Sequence, residues 1–526
     1  MSMLSQLLTL PLLVLFGAVV ALLVRARRRS LKFLQGPPSP SLLWGHEWEL
    51  TRKRVVGRLE TPWFRQYGSA VRVAGCFGED ILMLNDPHAL QHVFHKSAYR
   101  YKKPGDMEHL FIKFLGPGVL GANGDAHQRQ RKVLNPAFSA GQIRPFAQLF
   151  YASGKSLMQK WKEEVVKGAT VLDVAPSVND MALEALGDTM LEYDLSGTHS
   201  EQKSELRDII RDLFIDTRSP GKYQLFRNVS YRFMPRSFTS LLDLRKTNED
   251  RRFAHYVNRA QAVAEILAKN KVESGGGGEK DKDFLSVVAR SMESEDPKRT
   301  LNTAEALSQM ATIIFAGHDT TASTLAWVLY ELSKNPKDQE RLFQEVKRYR
   351  EQSRNDGEFK ANELEGMETL RLHPIIPEFF REAVADDVIP LESPVVDASG
   401  SVLREIPVTK GQRVYAGVYN YNRLKEVWGE DAEEWKPERF LDTKPTTLGI
   451  FGNLLTFGAG IRACIGWRFA ILEIQAVIAV LIEAFTFELP EDIEIDHVRL
   501  GVGSPLVKGD WNAGARLPLR IGLRQA

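Results

Sequence analysis

The chain has 526 residues, 43% of them hydrophobic and 26% charged, and its 69 basic and 67 acidic side chains leave a formal net charge of +2. These are ordinary globular values over a length that buries a large core, and they exclude a nucleic-acid binder, whose basic residues would stand in concentrated excess. Two cysteines, Cys76 and Cys464, cannot build a disulfide framework, which assigns the body to a reducing compartment.

In chain order, residues 1–29 read as a membrane anchor. Leu7 to Val24 is almost wholly apolar, at the lower end of the length that spans a bilayer. No lysine or arginine precedes it, and Arg25, Arg27, Arg28 and Arg29 follow at once. The basic side stays cytosolic, so the N-terminus is expected in the lumen and the body in the cytosol. A cleaved signal peptide would carry its positive charge before the apolar stretch instead. Residues 30–67 are a linker stiffened by Gly36-Pro37-Pro38-Ser39-Pro40, and residues 68–526 form the folded body.

Ala70–Ala74 and Ile81–Leu84 read as two strands around Gly78-Glu79-Asp80, followed by a helix capped by Asp86 with Pro87 in its first position. From Asp125 to the low 290s the pattern is helical, and Ser274 to Lys282 is a glycine-rich linker. Asn302 and Glu305 form a capping box, opening a helix that runs to Lys334, where Asn335-Pro336 stops it. Its middle, Met310 to Gly317, is apolar and expected to be buried. Asp319-Thr320-Thr321 then interrupts it. Read structurally, the two hydroxyls bond back to carbonyls one turn earlier and the acid reaches a nearby cation. A second strand-rich stretch covers about 386–421, and the last 40 residues read as short strands. The fold class is mainly α with small β-sheets at one side (α+β). No Gly-x-Gly-x-x-Gly follows a strand, so no doubly wound dinucleotide fold is expected.

The densest chemical signal is Phe457-Gly458-Ala459-Gly460-Ile461-Arg462-Ala463-Cys464-Ile465-Gly466. Glycines let the backbone turn tightly and approach a flat ligand, amides facing the sulfur stabilise a thiolate, and Arg462 offers a cation to a carboxylate. Trp467 then opens a helix whose N-terminus points its positive end at the sulfur. At every defining position this segment resembles the haem-binding loop of the cytochrome P450 monooxygenases. The resemblance covers the chain from anchor to C-terminus and implies haem b with Cys464 as axial iron ligand, with Phe457 and Arg462 beside it. It implies that Asp319 and Thr320, in Ala316-Gly317-His318-Asp319-Thr320-Thr321, belong to the oxygen-binding kink of a long helix. There a small residue leaves room for dioxygen, and the hydroxyl and the acid relay protons. It implies that Glu368, Arg371 and Arg439 form a buried structural ion network. His127, in place of the family's frequent tryptophan, with Arg131 and Arg381 would then reach the haem propionates. Against the family's pattern, the helix before Glu368 is short by about eight residues, roughly two turns, and Gly366 weakens it further.

The expected activity is insertion of one oxygen atom into a carbon–hydrogen bond of a lipophilic molecule, a terpenoid or another fungal secondary metabolite. NADPH would supply electrons through a cytochrome P450 reductase, with cytochrome b5 as an additional donor, at the endoplasmic reticulum membrane. The segments 104–120, 213–242, 313–320, 375–379 and 501–506 are expected to line the pocket, with Leu110, Phe111, Phe114, Phe214, Phe226, Phe379 and Phe380 as apolar surface and few charges near its centre. The alternatives are a haem-thiolate isomerase or dehydratase, which commonly lacks the acid–threonine pair, and a catalytically impaired chain that cannot retain haem because of the short approach to Glu368.

Overall fold

The computed structural model describes residues 31–52, 55–193, 195, 207–210, 213, 221–234, 236–273, 281–352, 363–441 and 448–524. The apolar segment 7–24, most of the glycine-rich linker and Phe214 lie outside the described residues. Among the described residues, no helix is long and apolar enough to cross a membrane.

Helices dominate. Those of eight or more residues are α1 (Glu60–Tyr67), α2 (Gly105–Leu115), α3 (Gly124–Leu134), α4 (Ala147–Val166), α5 (Val174–Leu186), α6 (Lys222–Phe233), α7 (Arg236–Asp243), α8 (Asn248–Glu273), α9 (Phe284–Glu293), α10 (Thr303–Lys334), α11 (Pro336–Gln352), α12 (Glu363–Leu372) and α13 (Trp467–Ala484). The strands are β1 (Ala70–Ala74), β2 (Asp80–Leu84), β3 (Tyr101–Lys102), β4 (Val171–Asp173), β5 (Glu378–Ala383), β6 (Asp387–Val396), β7 (Val402–Val408), β8 (Arg413–Gly417), β9 (Gly449–Phe451), β10 (Leu454–Ala459), β11 (Phe485–Glu488), β12 (Ile495–Leu500), β13 (Val502–Val507) and β14 (Pro518–Leu523).

The main sheet has the order β1-β2-β8-β5-β3. Its β2–β8 pair is parallel and the rest antiparallel, and β5 aligns Arg381 opposite Val414 of β8. The remaining sheets have two or three strands. Asp86 caps the short helix Pro87–Gln91 by accepting from the Ala89 amide at 3.0 Å, and its carboxylate also takes the Glu392 and Ser393 amides of β6. One side chain thus starts a helix and pins a strand.

The α+β class is therefore as the sequence implies. The principal core lies among α4, α5, α8, α9, α10 and α13, where Phe150 meets Phe469 edge-on with ring centroids 4.9 Å apart. A second apolar cluster joins the main sheet to β6, β7 and β10. The capping box of α10 is present in both directions: the Glu305 amide donates to Asn302 Oδ1 at 2.9 Å and the Asn302 amide to Glu305 Oε2 at 3.1 Å. α10 runs on until Asn335-Pro336 ends it, since hydroxyls within it such as Ser308, Thr312 and Thr320 bond back to carbonyls one turn earlier without breaking the helix.

Candidate functional site

β10 delivers the chain into the cysteine loop. Gly458 and Gly460 have φ of +68° and +62°, a region that side chains other than glycine rarely enter. At Gly460 the need is doubled, because a Cβ there would stand 1.9 Å from the Phe94 carbonyl oxygen. The turn closes when the Cys464 amide donates to the Phe457 carbonyl at 2.7 Å, and α13 begins at Trp467. The Cys464 sulfur is accessible, yet enough protein surrounds it that burial pushes its thiol pKa up, opposed by the Gly466 amide and Arg131. Cys76, by contrast, is fully buried, and burial raises its thiol pKa far out of the physiological range.

Beside this loop the structure gathers the four predicted basic residues. His127 and Arg131 lie one turn apart on α3. The His127 ring is buried, its Nδ1 has no hydrogen-bond partner, and burial followed by Arg462, Lys103, Arg131 and Arg381 drives its pKa down to about 3. It is a neutral donor. Arg131 donates from Nη1 to the Ala463 carbonyl at 2.7 Å, which ties α3 to the residue before Cys464. Arg381 of β5 is buried, and burial together with Arg462 lowers its pKa to about 9. Arg462 donates to the Ala122 carbonyl and to Asn123 Oδ1, both at 3.1 Å, while its Nε is left without a partner.

Lys103 completes the group and was missed in the sequence. Its ammonium pKa is pushed well below the ordinary value by burial and then by Arg462 and Arg381. Among the described residues, no carboxylate forms an ion pair with Lys103, His127, Arg131, Arg381 or Arg462. Desolvated cations without counter-ions are costly. A thiol beside a group of basic side chains that lack ion-pair partners among the described residues fits a flat metal cofactor that carries carboxylates.

α10 carries Asp319 and Thr320, and its hydrogen-bonded ladder is continuous through Ala316–Thr321. The expected back-bonds are present: Thr320 Oγ1 donates to the Ala316 carbonyl at 2.8 Å and Thr321 Oγ1 to that of Gly317 at 3.1 Å. Gly317 makes room for α5, since a Cβ there would meet Leu186 at 2.7 Å. The Asp319 carboxyl is half-buried, burial raises its pKa, and its partner is the Asn179 amide at 3.4 Å. Among the described residues no cation forms an ion pair with it; the nearby His318 ring is buried and bonded to the Ile314 carbonyl of its own helix.

The ion network forms as expected. Arg371 takes Glu368 with two nitrogens, at 2.7 and 2.8 Å, and Arg439 Nε reaches the same carboxylate at 3.0 Å. Glu368 and Arg371 are fully buried. Arg371 also donates to the Asn422 and Glu434 carbonyls, and Arg439 to that of Trp428 and to Asp431. Thr456 of β10 donates to the Leu370 carbonyl at 2.7 Å, which connects the network to the strand leading to Cys464. α12 supplies five residues before Glu368, and Gly366 lies within it. The short approach therefore does not prevent the network from closing.

The sequence model of the family described as Cytochrome P450 matches residues 35–508. Similar proteins include Cytochrome P450 monooxygenase 205 of Postia placenta, 31% identical over 95% of this chain and 94% of the relative. Ganoderic acid synthetase of Ganoderma lucidum is 31% identical over 88% and 89%. Cytochrome P450 monooxygenase claQ of Ampulloclitocybe clavipes is 32% identical over 94% of each chain. The chain belongs to the cytochrome P450 family.

Membership makes it an oxidoreductase of the monooxygenase type and implies a haem-thiolate cofactor. For this cytochrome P450 the expectation of few charges near the pocket centre is corrected in the segment 213–242. Arg227 and Arg232 of α6 are both buried. Arg227 pairs with Asp250 of α8, and Arg232 sits among Glu47, Glu79 and Asp106. These charges satisfy one another. Phe114 does pack on Phe315 of α10, with centroids 4.5 Å apart, and Phe379 lies beside Phe94 near the cation group. Phe380 and Phe226 turn elsewhere, onto Tyr415 and Phe77.

Proposed function

We propose that this cytochrome P450 is a membrane-anchored haem-thiolate monooxygenase in which Cys464 would hold the haem iron through its sulfur. The observation that carries the assignment is the exposed Cys464 at the end of a glycine turn, beside basic side chains that form no ion pair among the described residues. When bound, haem supplies dioxygen activation: one oxygen atom enters a carbon–hydrogen bond of the substrate and the other leaves as water, with two electrons and two protons consumed. The chain's own residues do the rest. The Gly466 amide and Arg131 stabilise negative charge on sulfur. His127, Arg131, Arg381 and Arg462 hold the propionates, and Phe457 closes the turn through its carbonyl. Thr320, its proton committed to the Ala316 carbonyl, presents lone pairs as an acceptor, and Asp319, whose carboxyl pKa burial raises, is the acid that would deliver a proton.

The substrate is a lipophilic small molecule, a terpenoid or a related fungal secondary metabolite. The name of the Ganoderma lucidum relative supports that class. NADPH provides electrons through a cytochrome P450 reductase, with cytochrome b5 as an additional donor, docking on the face nearest the Cys464 loop. Residues 7–24 anchor the protein in the endoplasmic reticulum membrane, with the body cytosolic. The presence of both Asp319 and Thr320 favours oxygen chemistry over isomerisation or dehydration.

The deciding experiment is the carbon monoxide difference spectrum of the reduced full-length protein. It is expected to show the long-wavelength band of thiolate-ligated haem, and Cys464→Ser is expected to remove that band. A protein that stays colourless after hemin reconstitution, or a Cys464→Ser variant that keeps the band, would overturn the assignment. Feeding candidate terpenoids to cells that co-express a reductase then identifies the product.

A further inference from the structure

α2 packs against both α6 and α8. A cavity remains where the three helices meet, lined by Asp106, His109 and Lys113 of α2, Arg227 and Asn228 of α6 and Glu249 of α8. It has room for one small polar group. Leu110 and Phe253 give it an apolar wall. Phe253 packs on Phe114 with ring centroids 5.2 Å apart, and Phe114 packs on Phe315, so one aromatic layer stands between the cavity and α10.

The polar wall is held by ion pairs. Lys113 reaches Asp243 of α7 at 3.2 Å and Asp250 of α8 at 2.7 Å. Arg227 gives both terminal nitrogens to Asp250 and stands 3.6 Å from Glu249. Asp106 is taken by Arg232 and Arg413, and Tyr231 donates to Asp243 while its ring stacks on His109. These pairs leave over the Nε of Arg227: the side chain is 1% exposed, and that nitrogen has no hydrogen-bond partner among the described residues. A buried N–H without an acceptor is costly, so the cavity calls for an oxygen. The charge around it restricts which oxygen. Asp243, Asp250 and Glu249 surround only Lys113 and Arg227, so an anionic guest meets excess negative charge. Burial already raises the Glu249 pKa. An ammonium suits the acids but has no lone pair for Nε. A hydroxyl both accepts and donates.

We propose that the cavity between α2, α6 and α8 is a binding site for the hydroxyl of a neutral lipophilic alcohol, which accepts from Arg227 Nε, donates to Glu249 and lays its apolar body along Leu110 and Phe253. No haem takes part in this recognition, so the inference holds or falls separately from the cofactor assignment.

The test photolabels the full-length protein with a diazirine analogue of farnesol and competes the label with three molecules of one carbon skeleton: farnesol, the hydrocarbon farnesene and the carboxylate farnesoic acid. Label is expected on peptides of α2, α6 and α8. Farnesol is expected to displace it at about tenfold lower concentration than farnesene, the effect of one hydrogen bond to a charged group, and farnesoic acid to compete no better than farnesene. Asn228→Leu keeps the side-chain size and removes the amide, and Arg227→Lys keeps the cation facing Asp250 and removes Nε. Both are expected to reduce the preference for farnesol over farnesene, Asn228→Leu with an unchanged melting temperature. Label absent from these three helices, farnesene or farnesoic acid competing as well as farnesol, or a preference that survives in both variants overturns the inference.

Discussion

Arg129 of α3 grips Glu305 of α10 with both guanidinium nitrogens, at 2.7 and 2.8 Å. Next to it the Gln309 amide donates to Gln130 at 3.0 Å. α3 carries His127 and Arg131, and α10 carries Asp319 and Thr320, so this pair fixes the helix of the proposed cofactor contacts on the helix of the proposed oxygen chemistry. A double-mutant cycle of Arg129→Ala with Glu305→Gln is expected to give a coupling of about 1–2 kcal/mol, above most open-surface pairs.

The same pair sets an acid limit. Arg129 above all holds the Glu305 carboxyl below its usual range. The stabilisation is fully present above the unfolded value of about 4.3 and is lost as pH falls through the lower folded value. Glu305→Gln is expected to be less stable at neutral pH and to lose less stability on acidification, measured by denaturant melts across that range.

Within the buried network, Glu368→Gln leaves Arg371 and Arg439 enclosed without their carboxylate. The expected cost is about 3–5 kcal/mol, read as a lower melting temperature and reduced haem content in the purified protein. Replacement at the exposed pair Lys425–Glu430 serves as the control and should change neither.

Two glycines predict opposite signs. Gly460 has a positive φ and no room for a Cβ, so Gly460→Ala is expected to destabilise the cysteine loop by about 2 kcal/mol or more and to speed haem loss. Gly366 sits inside α12 with nothing within 4 Å of a Cβ. Gly366→Ala is therefore expected to raise stability by about 0.8–1 kcal/mol.

Thr320→Ala removes the hydroxyl on the Ala316 carbonyl. Product formed per NADPH consumed is expected to fall by about tenfold or more, with hydrogen peroxide rising in its place, and Thr320→Ser should restore much of the coupling. Unchanged coupling in the alanine variant would remove the assigned role.

What the sequence discloses here is what local chemistry decides. The Asn302–Glu305 box, the Asp86-Pro87 start and the Gly458–Gly460 turn each involve residues a few positions apart, and each lies where the residue types require. Glu368, Arg371 and Arg439 were legible through their motif spacing. Lys103 was not, because its place beside Arg462 at the Ala122 carbonyl arises only when the segments around 103, 122 and 462 converge. The buried charges of the segment 213–242 were not legible for the same reason, since Arg232 finds Glu79 and Glu47 153 and 185 residues away. Phe379 and Phe380 were both assigned to the pocket, but neighbours on a strand face opposite ways, so only Phe379 shares a face with Arg381.

Arg341 of α11 donates to Glu365 of α12 at 2.7 Å and also reaches Glu438, next to Arg439. The start of α12 is thus braced from two sides before Glu368 is reached. Because loop-closure entropy changes only slowly with length, additions or losses upstream of Glu363 should be nearly neutral while this brace stands. Homologues that differ in that stretch can then share one working clamp, and natural length polymorphism there is a poor guide to which copies have decayed.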